Sequence, residues 1–105
     1  MNPGSIFDEL ANRVSQRPEL VDDVGAIYQF DVGGEAGGSW VVDLKNSPGS
    51  VRAGTNADAD CVITVDQDDL AGIMNGSVNP QTAFLMGHIK IAGNFMLATK
   101  LGALV

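Results

Sequence analysis

A chain of 105 residues with 13 acidic and six basic side chains carries a formal charge of −7, which excludes the basic footprint that nucleic-acid phosphates demand. The same charge excludes strong attraction to anionic membranes, which takes clusters of Lys and Arg. At 45% hydrophobic and 18% charged residues, the composition is that of one ordinary globular domain over residues 1–105, and the lone cysteine, Cys61, excludes an internal disulfide and points to a reducing compartment.

The first residues carry Asp8 and Glu9 and no continuous apolar run, so they do not read as a secretory signal. No stretch reaches the roughly 18 to 20 apolar residues of a membrane span. Ser5 with Asp8 three residues on makes a weak capping box. Phe7, Leu10, Ala11 and Val14 then follow helical spacing, which predicts an amphipathic helix of about three turns ending before Pro18. Pro18 opens a second, shorter helix with Leu20, Val21 and Val24 inward and Gly25 as its C-cap.

From Ala26 the period changes to two. Tyr28, Phe30 and Val32 alternate with Gln29 and Asp31, a strand with one wet face. Gly33 to Gly38 (GGEAGG) is a hairpin loop, and Ser39 to Lys45 returns with Trp40, Val42 and Leu44 on one face. After the Asn46 to Gly49 turn, Val51 to Gly54 is a weak strand suited to a sheet edge, and the β-branched run Cys61 to Val65 suits a more central one. Asp66 caps a short helix carrying Leu70, Ile73 and Met74 and ending at Asn75-Gly76. Asn79-Pro80 opens another with Ala83, Phe84 and Leu85. The fold class expected is α+β: a five-stranded, mostly antiparallel sheet with helices packed on one face. The last strand follows a helical crossover, which suits a parallel junction with its neighbour.

The anomaly is the final stretch, His88 to Val105. Ile89 and Ile91 alternate with His88 and Lys90 as a strand, Gly93 breaks the run, and Asn94 caps a helix. Phe95, Met96, Leu97, Ala98, Leu101, Ala103, Leu104 and Val105 point all round that helix, with only Thr99 and Lys100 polar. A helix apolar on every side must be covered on more than one side, and a chain this small has little left to cover it. An apolar guest or a partner has to supply the contact. Methionine, flexible and tolerant of varied neighbours, clusters beside it at Met74, Met86 and Met96, which favours a cavity with changeable contents.

The rival chemistries are poorer. Gly33 to Gly38 lacks the following Gly-Lys-Ser/Thr of a phosphate loop. Asn56, Asp58 and Asp60 resemble the start of a calcium loop, but Cys61 stands where glycine is needed and Gln67 where the bidentate Glu belongs. Cys61 and His88 form a nucleophile pair on paper only, without a sequence signature, and no paired carboxylates or zinc ligand set can be drawn. No catalytic residue, metal or cofactor is assigned, and the expectation is a binder rather than an enzyme.

At this point the motifs resemble a known family. Trp40 to Lys45 (WVVDLK) before a glycine turn, Ala59-Asp60-Cys61 before an alternating strand, Asp68-Asp69-Leu70 and Gly76 are similar to segments of the sterol carrier protein type-2 family. So are Asn79-Pro80-Gln81 with Ala83-Phe84 and Gly87, then Ile89-Lys90-Ile91, Gly93-Asn94 and Leu97 to Leu101, so that the likeness runs from about Phe7 to Leu104. The resemblance implies an apolar tunnel between sheet and helices, and non-catalytic binding or transfer of fatty acids, fatty acyl-CoA and sterols. Carried over by position, the lining would come from Trp40, Ile73, Met74, Phe84, Leu85, Ile91, Met96, Leu97, Leu101 and Leu104, with Gln81 and Thr99 as polar contacts to a head group. Two departures stand out: the chain ends in Ala-Leu-Val rather than a peroxisomal targeting tripeptide, and His88 replaces a usual Lys or Arg. The expectation is therefore a cytoplasmic carrier, a monomer or weak dimer, with room for transient membrane contact. The alternative is a substrate-presenting or oligomerisation module for a partner enzyme, without a ligand of its own.

Overall fold

The computed structural model describes residues 2–46 and 48–100. Helix α1 runs Pro3–Gln16. Its cap is Asn2 rather than the expected Ser5: the Asn2 Oδ1 accepts the Ser5 N–H at 2.8 Å, and Pro3 takes the first helical position, where a missing donor costs nothing. Ile6, Phe7, Leu10 and Val14 form its buried face. Helix α2 (Glu19–Val24) stops at Gly25, whose φ of 64° is left-handed.

Strands β1 (Ile27–Gly33) and β2 (Gly38–Asp43) make the hairpin, with Phe30 opposite Trp40. Strands β3 (Ser50–Ala53), β4 (Cys61–Asp66) and β5 (Ile89–Gly93) complete a sheet of order β3-β2-β1-β4-β5, so β3 is an edge and β4 lies inside. The junctions β1–β2, β2–β3 and β4–β5 are antiparallel, and β1–β4 is parallel. The parallel junction is thus not at the last strand, as the crossover suggested. Val65 lies opposite Ile89, so the helical excursion between β4 and β5 begins and ends at the same end of the sheet and acts as a hairpin connection. The true crossover is the segment from 54 to 60. Four-residue β3 ends level with Trp40, and through it Phe30, close enough for a short segment to return to the level of Tyr28, where β4 starts. It crosses the wet face, where Gln29 Oε1 accepts the Asn56 N–H at 3.0 Å.

Asp60 ends that crossing and ties three strand ends together. Its N–H donates to Ile27 O at 2.8 Å, its carboxylate accepts the Ile27 N–H at 3.0 Å, and its carbonyl accepts the Asn94 N–H at 3.1 Å. Gly93 sits against the same carbonyl at φ 90°, and a Cβ there would lie 2.5 Å from Asp60 O. Only glycine allows both that conformation and that approach.

The helices cover the opposite face, that of Tyr28, Phe30, Val32, Ile63 and Ile91. On one side α1 packs closely: the Phe7 ring stacks on Trp40 at 4.7 Å and meets Phe30 edge-on at 5.3 Å. On the other side lie α3 (Gln67–Asn75), α4 (Pro80–Leu85) and α5 (Phe95–Lys100). Each is capped by a side-chain oxygen: Asp66 accepts from Asp68 N–H, Asn79 from Gln81 and Thr82 N–H, and Asn94 from Met96 N–H, at 2.9 to 3.2 Å. Residues 101–105, the rest of the expected closing helix, lie outside the described residues.

Candidate functional site

Where α3, α4 and α5 arch over β1, β4 and β5, the layers do not meet. They enclose a cavity of about 540 Å³. Its floor is one face of three strands: Phe30 opposite Ile63, Ile63 opposite Ile91, with Val65 and Ile89 alongside. Leu10 of α1 and Leu70, Ile73 and Met74 of α3 form one wall. Pro80, Gln81, Phe84 and Leu85 of α4 face Phe95, Ala98 and Thr99 of α5. Phe95, Ala98 and Thr99 are spaced i, i+3, i+4, so they share a helix face. Leu85 is 83% exposed and Phe95 47% exposed although both line the cavity, so they mark its mouth. The Phe84 and Phe95 rings, 5.2 Å apart, join the two helices there.

Among the described residues no charged side chain lines this space, and Gln81 and Thr99 are its polar groups. The Thr99 hydroxyl donates to Met96 O at 2.7 Å, leaving its oxygen to accept. The lining offers water few of the two to four polar partners it needs and suits an apolar guest.

One hydrogen bond fastens α5 over the sheet. The Tyr28 hydroxyl donates to the Leu97 carbonyl at 2.6 Å. Tyr28 is fully buried, and burial, with smaller contributions from Cys61 and Asp60, pushes its phenol up to about 12. Burial, then Asp60, pushes the Cys61 thiol up as well, so it stays protonated and unreactive at neutral pH. Cys61 opposes Gly93 at one end of the β4–β5 ladder, whereas His88 precedes Ile89 at the other. His88 Nδ1 instead lies 3.4 Å from Asp69 Oδ2. The two residues do not form a nucleophile pair.

Of the positions expected from sequence, Ile73, Met74, Gln81, Phe84, Leu85, Ile91 and Thr99 come together around the cavity. Trp40, Met96 and Leu97 do not line it: Trp40 is stacked on Phe7, Met96 is 68% exposed, and Leu97 contributes its carbonyl to Tyr28. Leu101 and Leu104 lie outside the described residues. Nine lining residues were missed: Leu10, Phe30, Ile63, Val65, Leu70, Pro80, Ile89, Phe95 and Ala98. Phe95 and Ala98 were findable by counting from the Asn94 cap, since they share a helix face with the expected Thr99. The strand residues carried a signal for burial but none for burial against a void.

Comparison with known proteins gives this geometry a context. Residues 7–105 match the profile of the SCP-2 sterol transfer family. The chain is 44% identical to sterol carrier protein 2 of Rattus norvegicus over 103 residues, 94% of this chain but 19% of that protein. It spans about a fifth of the length of the curated relatives it matches. Among solved structures it is similar to apo sterol carrier protein 2 from Yarrowia lipolytica, with a TM-score of 0.82 and 31% identity over 94% of this chain and 85% of that one. It is also similar to sterol carrier protein 2 from Aedes aegypti, solved in complex with the C16 fatty acid palmitate, with a TM-score of 0.68 and 25% identity over 90% of this chain and 89% of that one. The chain belongs to the SCP-2 sterol transfer family.

Proposed function

We propose that this chain is a non-catalytic lipid carrier that holds the hydrocarbon part of a fatty acid, fatty acyl-CoA or sterol in the cavity. The observation that carries the reading is an opening of about 540 Å³ with no charged lining among the described residues, within the range of small-molecule sites. Each methylene taken from water gains roughly 0.8 kcal/mol, so a long chain gains enough to outweigh its ordering cost. Gln81 and Thr99, on facing helices, take the polar end. Membership of the family and the likeness to a palmitate-bound relative support the assignment.

A ligand that binds the folded state stabilises it by mass action. Palmitate or palmitoyl-CoA is expected to raise the melting temperature and to slow amide exchange over Asn94–Lys100. Leu70→Asp, which places an unpaired charge in the wall, is expected to abolish the rise. No change in melting or exchange at lipid concentrations well above micromolar would refute the reading.

A further inference from the structure

Met74 of α3 lines the cavity, half-buried against the core, and its thioether is the only sulfur on the lining among the described residues. The other two described methionines are placed differently: Met86 and Met96 are each 68% exposed and do not line the cavity. Cys61 is fully buried beside Tyr28 in the neighbouring strand, also off the lining. A thioether is polarizable, and oxidants convert it to the sulfoxide. Peroxide dissolved in water reaches the exposed pair first. Peroxide carried on a guest reaches Met74 first.

We propose that Met74 reduces hydroperoxide groups on unsaturated lipid guests, an activity of the cavity that rests on the carrier reading. Peroxidation of a polyunsaturated chain sets the –OOH group partway along it, so a chain held in the cavity brings that group inside. The group is uncharged, as is the lining among the described residues. Its O–H can be accepted by the Gln81 carbonyl oxygen or by the Thr99 oxygen, whose own proton goes to Met96 O, leaving the other residue for the polar end of the lipid. The Met74 sulfur attacks the terminal peroxide oxygen, an S–O bond forms and the O–O bond breaks. The proton on that oxygen passes to the departing alkoxide by way of water at the mouth. One thioether and one hydroperoxide give one sulfoxide and one lipid alcohol, and sulfur loses the two electrons that the peroxide gains. Each sulfur acts once, until a sulfoxide reductase restores it. Confinement drives the step, because guest and sulfur share one small space at a high effective concentration.

The test adds one equivalent of linoleic acid hydroperoxide to the protein. Peptide mass spectrometry reads the sulfoxide at each methionine, and chromatography reads the lipid product. Met74 is expected to oxidise about tenfold or more faster than Met86 or Met96, with one hydroxy acid formed per Met74 sulfoxide. Hydrogen peroxide, which needs no carrier, should reverse the order and take Met86 and Met96 first. Excess palmitate should slow the oxidation of Met74 by the lipid hydroperoxide and leave that of Met86 and Met96 by hydrogen peroxide unchanged. Met74→Leu should form the hydroxy acid at about a tenth of the wild-type rate or less. Exposed methionines oxidised by the lipid hydroperoxide as fast as Met74, a Met74 rate that palmitate does not slow, or sulfoxide formed without hydroxy acid overturns the proposal. Palmitate binding, measured without any hydroperoxide, separates the two readings. Palmitate bound while Met74 stays reduced refutes the proposal alone, whereas palmitate left unbound refutes the carrier reading and this one with it.

Discussion

The two halves of the helical layer treat the same sheet differently. Under α1 the packing is complete: Ile6, Phe7, Leu10 and Val14 are 3% exposed or less, and Phe7 touches two aromatic rings. Under α3, α4 and α5 the sheet is just as apolar, yet no residue of α5 is buried and two of its first side chains lie in water. One half therefore carries the stability, while the other spends apolar surface on an opening. Both halves rest on β1, where Tyr28 and Phe30 serve each in turn.

The sharpest test of that division is a matched pair of truncations. Phe7→Ala leaves a cavity between packed rings and is expected to cost about 3–5 kcal/mol in urea unfolding. Phe95→Ala, at a half-exposed rim, should cost well under half as much and act mainly on lipid affinity. Equal costs would mean that the rim is core and the division is false. Gly93→Ala comes next, about 1–3 kcal/mol, because it forces an L side chain to φ 90° against the Asp60 carbonyl. Unchanged melting there would show that the β5–α5 corner yields freely.

The smallest effect concerns the hydrogen bond that joins the halves. Tyr28 is the only tyrosine, so phenolate absorbance reads it alone. Its midpoint is expected at about 12 in the folded protein against 10.0 unfolded. The folded pKa is the higher one, so the contribution to stability is whole below pH 10 and is lost as the pH rises through about 12. Tyr28→Phe should cost about 1 kcal/mol and speed exchange in α5 with little change elsewhere. An ordinary midpoint would place the phenol in water and detach α5 from β1.

Much of this was written locally in the sequence. The oxygen caps at Asp66, Asn79 and Asn94 act within two or three residues, so each helix start was legible, as was the period-two alternation of β1 and β2. Where two local signals competed, the reading slipped: Ser5 and Asp8 masked the Asn2-Pro3 start. Strand direction was not local at all, since it depended on β3 being only four residues long. The site was half legible for a related reason. Trp40 was carried over by position from the resemblance, but whether its ring meets a cavity or another ring depends on α1, which lies far away in sequence.

The three bonds at Asp60 constrain how the mouth can widen. They peg the Asn94 cap of α5 to the starts of β1 and β4, so any widening leaves that end of the helix in place. What passes through the mouth therefore enters away from the Asp60 corner.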